Sequence, residues 1–135
     1  MEKIEHIGIA VKNIVEANKI YAALLGYGPY KNEKVESEGV ETSFFLCGES
    51  KIELLEATDE NSPIAKFIEK RGEGIHHIAF AVNDIKVEME RLKNAGFVLL
   101  NETPKKGADN KWVAFVHPKS ANGVLVELCQ EIENK

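Results

Sequence analysis

The sequence predicts an α+β fold of two βαβββ modules whose strands form a curved mixed sheet around a cup. Residues 6–11, His-Ile-Gly-Ile-Ala-Val, match residues 77–82, His-Ile-Ala-Phe-Ala-Val, at an offset of 71. In both stretches a histidine and small residues alternate with larger apolar residues, as in a strand with one open face. A helical pattern and then three strand patterns follow each copy. The chain therefore reads as a duplicated module.

Composition and charge narrow the class of protein. The 135 residues are 44% hydrophobic and 29% charged, which is typical of one soluble globular domain. A net charge of −5 and no basic cluster argue against nucleic acid as a partner. The sequence has no apolar run near the ~20 residues that a membrane span needs, so no membrane span is expected. Charged residues begin at Glu2, so no signal peptide is expected either, and a cytoplasmic location is the default expectation. Cys47 and Cys129 lie in apolar strand patterns, so we expect buried, reduced thiols.

The single domain, residues 1–135, begins with a first module at about residues 1–58. A strand at residues 4–11 precedes a helix that Asn13 caps and Gly26 ends. The helix is expected to bury the apolar residues at helical spacing: Ile14, Ala17, Ile20, Tyr21, Leu24 and Leu25. Three strands follow, predicted at residues 30–36, 40–47 and 51–56.

The polar segment at about residues 59–72 is predicted to link the modules. Ser62 can cap a short helix with Pro63 at its first position. The second module, about residues 73–135, then repeats the order of the first, with a strand at residues 74–82 and a helix at about 84–94. Its last three strands are predicted at residues 97–101, 112–117 and 123–129, with a polar loop at 105–110.

Four polar residues interrupt apolar strands at repeated positions. His6 and His77 lie on the first strand of each module, and Glu53 and Glu127 lie on the last. Two imidazoles and two carboxylates suit one divalent first-row metal ion, with coordination sites left for water or substrate. Cobalt, nickel, manganese and zinc all fit this set, and the sequence does not distinguish them. By alternation His76 points to the other face, where either a structural role or support of a metal ligand is expected.

Longer stretches resemble a known family. The paired modules with their His, Glu, His, Glu set are similar to the vicinal oxygen chelate superfamily, also called the glyoxalase/bleomycin resistance/dioxygenase superfamily. Within it, residues 51–56, 59–80, 117–120 and 123–128 resemble the methylmalonyl-CoA epimerase family. Glyoxalase I shares the metal set, so the Ser-Pro-Ile-Ala-Lys-Phe segment from Ser62 and the His-Pro-Lys-Ser segment from His117 are the more specific parts.

This resemblance implies a glyoxalase-like fold with a metal-binding cup, and it implies an epimerase reaction. His6, Glu53, His77 and Glu127 match the family's metal ligands, and the implied activity is epimerisation of (R)- and (S)-methylmalonyl-CoA through a metal-stabilised enolate. Two bases are required, with Glu127 and Glu53 as the candidates. Some epimerases carry glutamine in place of Glu53 and a catalytic glutamate at the position of Thr42, so the sequence leaves the second base open.

The resemblance also implies an acyl-CoA substrate and leaves alternatives open. Because CoA carries phosphates, the residues expected to bind it are Lys119, Ser120, His117 and Lys66. Related proteins commonly dimerise, so a homodimer is expected. The alternatives are glyoxalase I (lactoylglutathione lyase), a non-catalytic ligand-binding member of the same superfamily, and a ring-cleaving dioxygenase.

Overall fold

A computed structural model describes residues 1–133, in which the order strand, helix, three strands occurs twice, as predicted. The strands are β1 (Lys3–Ala10), β2 (Lys31–Val35), β3 (Val40–Cys47), β4 (Ser50–Ala57), β5 (Gly74–Ala81), β6 (Lys105–Gly107), β7 (Lys111–Val116) and β8 (Val126–Glu131). The helices are α1 (Ile14–Leu25), α2 (Pro63–Arg71) and α3 (Ile85–Asn94), with short 3-10 turns at Glu36–Glu38 and Pro118–Ala121. Residues 134 and 135 of the predicted second module lie outside the described residues.

The chain divides into two compact units. The N-terminal unit consists of residues 6–76, and the C-terminal unit consists of residue 77 onward together with residues 1–5. The segment predicted as a linker, residues 59–72, groups with the N-terminal unit, because Ile64 of α2 joins a buried cluster on the sheet of that unit. Glu2 groups with the C-terminal unit, where its N–H donates to the Ala81 carbonyl at 2.9 Å.

The N-terminal unit is a mixed four-stranded sheet in the order β2-β3-β4-β1, with β1 and β4 parallel and the other neighbours antiparallel. Its register places Glu53 between Gly8 on β1 and Phe44 on β3. Helix α1 covers the opposite side, in a core cluster formed by Val11, Ile14, Ala17, Phe45 and Leu54. Glu53 and Leu54 therefore point to opposite faces, as alternation along a strand requires.

The C-terminal unit repeats this arrangement. Its strands lie in the order β5-β8-β7-β6, with β5 and β8 parallel and the other neighbours antiparallel. Here the register places Glu127 between Ala79 on β5 and Phe115 on β7. Helix α3 buries Ile85, Met89 and Leu92 on the opposite face, together with Val116 and Leu128. The repeat seen in the sequence is thus also a repeat of strand register.

A side-chain hydrogen bond anchors the start of one helix in each unit. The N–H of Ile14 donates to Glu56 Oε1 at 2.7 Å, and the N–H of Ile85 donates to Gln130 Oε1 at 2.8 Å. Glu56 and Gln130 each follow the inward-facing glutamate of their strand by three residues. Because the first N–H groups of a helix have no partner within the helix, these two acceptors hold each helix to its sheet.

The two copies provide a matched pair for a stability test. We expect Glu56→Ala to lower the free energy of unfolding by about 1–2 kcal/mol, because the Ile14 N–H loses its acceptor in a half-buried place. Glu56→Gln keeps an amide oxygen there, as Gln130 does in the other unit, and should cost about half as much or less. Urea unfolding followed by circular dichroism measures both. Equal losses would mean that the charge, rather than the hydrogen bond, anchors the helix.

The predicted N-caps Asn13 and Ser62 are confirmed, and the third helix has a further cap, Asp84, at the predicted start of that helix. The side chains of Asn13, Ser62 and Asp84 each accept a hydrogen bond from the backbone N–H three residues later. Gly26 ends α1 in the left-handed conformation, with φ of 90°. The short helix from Pro63 has the bounds that its cap and breaker residues predict.

Two strand predictions in the second module are wrong. Within the described residues, the segment 97–101 forms a single bridge, Leu99 to Val116, and the pairing strand is β6, inside the predicted polar loop. Gly107 allows this, since a Cβ at that position would lie 2.9 Å from Val113 Cγ1. The last strand begins at Val126 instead of residue 123, because a 3-10 turn and the positive φ of Gly123 occupy the residues before it.

Three predictions of burial are also wrong. Ile20 and Leu24 are 64% and 71% exposed, because the stripe of α1 that meets the sheet is narrower than the apolar pattern. Cys47 is exposed where β3 runs into the turn at Gly48, whereas Cys129 is buried as predicted. Neither cysteine forms a disulfide within residues 1–133. In the same part of the chain, no helix is long and apolar enough to cross a bilayer.

Candidate metal and substrate site

The N-terminal unit contains a buried imidazole and carboxylate side by side. His6 on β1 and Glu53 on β4 are each 5% exposed, and His6 Nδ1 lies 3.1 Å from Glu53 Oε2. The glutamate is next to Gly8, which has no side chain, and opposite the ring of Phe44. Burying a carboxylate without a polar or charged partner costs several kcal/mol, so Glu53 needs the imidazole, a cation or both.

The C-terminal unit contains the equivalent pair. His77 on β5 and Glu127 on β8 are 6% and 7% exposed, and His77 Nε2 lies 3.3 Å from Glu127 Oε1. Ala79 is the small residue beside this glutamate, and the Phe115 ring meets the imidazole edge to face with centroids 6.4 Å apart. Each unit therefore brings together the histidine and the glutamate that the sequence singled out. Imidazole nitrogen and carboxylate oxygen are both common ligands of divalent first-row metals.

Thr42 lies on the same side of its sheet as Glu53. It is 1% exposed and pairs in register with Leu55 of β4, two residues beyond the glutamate. Within the described residues its hydroxyl has no hydrogen-bond partner, and neither has that of Ser43 on the opposite side of β3. A threonine hydroxyl cannot act as a base at neutral pH, and the carboxylate of β4 on the same side as Thr42 is Glu53.

His76 lies on the other side of β5 from His77, as alternation predicts. Its ring packs edge to face on Phe67 of α2, with centroids 5.0 Å apart. Burial lowers the pKa of His76 to about 4, because the protonated ring would lose its hydration. The side chain is therefore neutral at physiological pH and packs against α2.

The residues expected to bind CoA fall in two places. In the C-terminal unit, the 3-10 turn brings together His117, Lys119 and Ser120. His117 Nδ1 accepts from the Lys119 N–H at 3.0 Å, and Ser120 Oγ accepts from the Val98 N–H at 2.9 Å, so both side chains have structural contacts. Lys119 is exposed, as is Lys66 on α2 of the N-terminal unit.

Sequence reasoning missed two buried charged residues, Glu5 on β1 and, at the start of β7, Lys111. Lys111 is 6% exposed, and its Nζ lies 2.9 Å from Glu131 Oε1 on β8. Alternation along the strand could have revealed it. Lys111 lies two and four residues before Val113 and Phe115, and all three face the same side of the sheet as Glu127. The predicted strand began one residue later, at Trp112, and so left this lysine in a loop.

Comparisons with known proteins agree with this architecture. Residues 5–115 match the model of the Glyoxalase/Bleomycin resistance protein/Dioxygenase superfamily. The chain is 43% identical over 130 residues to the ethylmalonyl-CoA/methylmalonyl-CoA epimerase of Cereibacter sphaeroides, covering 95% of this chain and 97% of the relative.

Solved structures are similar over the same span. Methylmalonyl-CoA epimerase from Mycobacterium tuberculosis superposes with a TM-score of 0.91 at 35% identity, over 96% of this chain and 88% of that one. A variant of the Streptomyces coelicolor methylmalonyl-CoA epimerase, in complex with 2-nitronate-propionyl-CoA, gives a TM-score of 0.92 at 32% identity, over 98% and 99%. These likenesses confirm the predicted glyoxalase-like fold class.

Proposed function

Because the chain belongs to the methylmalonyl-CoA epimerase family of the glyoxalase/bleomycin resistance protein/dioxygenase superfamily, we propose that it interconverts (R)- and (S)-methylmalonyl-CoA. Its family makes it an epimerase, which is an isomerase. The observation that carries the proposal is the buried histidine–glutamate pair at the same register position in each unit. A relative that binds a CoA ester analogue supports an acyl-CoA as the substrate.

The reaction requires two proton-transfer groups. The carbon between a thioester and a carboxylate holds a weakly acidic proton, which must leave on one face and return on the other. Glu53 and Glu127 are the proposed bases, one from each unit. Both are shielded from water, and both lie beside a small residue, Gly8 or Ala79, that leaves room for an acyl group. Thr42 supplies no alternative base.

The proposed metal ligands are His6, Glu53, His77 and Glu127, which would hold one divalent cation. The donor chemistry fits: two imidazole nitrogens and two carboxylate oxygens, all from buried side chains. When bound, such a cation supplies Lewis-acid stabilisation for negative charge that develops on the thioester oxygen. Cobalt, nickel, manganese and zinc each accept this donor set, and nothing in the residues selects among them.

The proposal also covers the residues that bind the CoA part of the substrate, the oligomeric state and the location in the cell. Exposed Lys119 and Lys66 carry positive charge that suits the phosphates of CoA, with His117 and Ser120 shaping the turn that holds Lys119. The homodimer and the cytoplasmic location expected from the sequence stay predictions.

A substrate comparison tests the proposed activity. Purified protein is incubated in D₂O with single epimers of methylmalonyl-CoA, and in parallel with methylglyoxal and glutathione. We expect inversion and deuterium uptake at the α-carbon, with kcat/KM at least about 100-fold above that for the glutathione adduct. The opposite preference would make the protein a glyoxalase I. Binding of the CoA ester without turnover of either substrate would indicate a ligand-binding member of the superfamily.

A further inference from the structure

We propose that Phe115 is a positioning residue, which holds the imidazole of His77 in the orientation that binds the metal ion. The inference rests on the metal site of the proposed function, in which His77 and Glu127 are ligands of one divalent cation. All three side chains belong to the C-terminal unit. Phe115 has no ligand atom of its own, so it acts on the ion through the histidine.

A histidine ligand needs contacts that fix the rotation of its ring. The torsion about the Cβ–Cγ bond of histidine is broad and roughly two-fold, so the backbone alone does not set the direction of the two nitrogens. In the structure, His77 Nε2 lies 3.3 Å from Glu127 Oε1. This contact cannot remain a hydrogen bond when both side chains bind one ion, because a nitrogen that binds a metal carries no proton. Neighbours that are not ligands must then hold the ring.

Phe115 is such a neighbour of His77. The centroids of the two rings lie 6.4 Å apart, and the ring planes are nearly perpendicular, at 86°. Aromatic pairs in this edge-to-face arrangement attract each other at centroid distances of about 4.5–7 Å. Rotation of the imidazole about Cβ–Cγ would change the angle between the planes and disturb this contact. The phenyl ring therefore favours one orientation of the imidazole.

Phe115 is itself held in place, as a positioning role requires. Its N–H donates to Asn101 Oδ1 at 2.8 Å, and its carbonyl accepts from the Leu100 N–H at 2.8 Å. Because both backbone groups of Phe115 face this segment, Phe115 and Glu127 form the closer, non-hydrogen-bonded type of antiparallel pair. The phenyl ring also packs against a buried apolar cluster of β5, β7 and β8.

The same placement occurs in the N-terminal unit. Phe44 on β3 lies directly opposite Glu53, as Phe115 on β7 lies opposite Glu127. Phe44 is fully buried, so this ring is also fixed by its surroundings. A phenylalanine opposite the inward glutamate is thus a feature of the repeated module, which supports a role at the site for this residue type.

The test measures metal binding, so that it does not depend on turnover. The Kd of Co²⁺ is measured by competition with a chelating dye for the wild type, Phe115→Leu, Phe115→Tyr and the control Trp112→Leu. We expect Phe115→Leu to raise the Kd about tenfold, since losing a group that orients a ligand histidine typically costs about 10- to 100-fold in affinity. Phe115→Tyr keeps the ring and should stay within about threefold.

The control separates this role from packing. Trp112 packs on the other face of β7, against the core cluster of α3. Trp112→Leu should therefore lower the melting temperature and leave the Kd of Co²⁺ within about twofold. The visible absorption bands of bound Co²⁺, which depend on the ligand geometry, should change in Phe115→Leu and stay unchanged in Trp112→Leu.

A second variant without the ring guards against misfolding of Phe115→Leu. The flexible side chain of Phe115→Met refills the space, and the same rise in Kd is expected. A lower melting temperature with unchanged Kd and absorption bands in both variants would refute the inference. A wild type that binds no divalent ion would overturn the metal site as well. Tight binding by a wild type that does not epimerise, with weaker binding in the two variants, would overturn the proposed activity alone.

Discussion

Glu127→Gln is expected to abolish epimerisation, lowering kcat/KM for methylmalonyl-CoA by about 10³-fold or more while the chain stays folded. Glutamine has nearly the shape of glutamate and keeps an oxygen that His77 can contact, but it cannot take up a proton at neutral pH. Because Glu127 is only 7% exposed, bulk water has little access to replace it as a base. The measurement is inversion of one pure epimer in D₂O, followed by mass spectrometry and by chiral analysis.

The two-base arrangement makes a sharper prediction for single epimers. Glu53→Gln should also abolish inversion, yet each variant should still exchange the α-proton of the one epimer that faces its remaining glutamate. The two variants are thus expected to have opposite epimer preferences in deuterium exchange. Thr42→Val, which changes a buried hydroxyl on the Glu53 side, is the matched control and should exchange both epimers. Wild-type exchange of both epimers in Glu127→Gln would remove this residue from the mechanism.

Removal of the metal is expected to have the second-largest effect. Dialysis against a chelator should lower activity by about 100-fold or more, because the developing negative charge loses its Lewis-acid stabilisation. The melting temperature should fall as well. A ligand that binds only the folded state stabilises it by about 2.7 kcal/mol at a concentration of 100 times its Kd. Adding back each candidate divalent ion, with stoichiometry measured by elemental analysis, identifies the ions that restore both properties.

Variants of the two histidines separate a metal role from a packing role. His6→Ala and His77→Ala come from different units, yet each should abolish stoichiometric metal binding if all four side chains hold one ion. In each variant, chelator should then no longer change the melting temperature. His76→Ala is the control: its ring packs on Phe67, so it should lower stability and leave metal content unchanged. Full activity of the chelated wild type would contradict the metal proposal.

Local rules account for most of what sequence reasoning recovered. Asn13 and Ser62 were predicted as caps because their side chains can accept hydrogen bonds from N–H groups three residues later, and they do so in the structure. The histidine–glutamate pairs could be found because the module is duplicated, so each unusual residue has a second copy that supports its interpretation. The strand predicted at residues 97–101 was wrong for a different reason. Its apolar alternation fits a strand but does not specify a neighbouring strand, and in the structure only Leu99 forms a bridge, to Val116.

Periodicity, capping chemistry and repetition within short stretches were enough to predict the duplicated βαβββ order, the ends of the helices and the four candidate ligands. Which side chains are buried beside one another became known from the folded chain alone. The tertiary structure put β6 where a loop was expected, exposed Ile20 and Leu24, and enclosed Lys111 next to Glu131. The physical reason is that burial and pairing depend on strands distant in sequence, whose register no local pattern specifies.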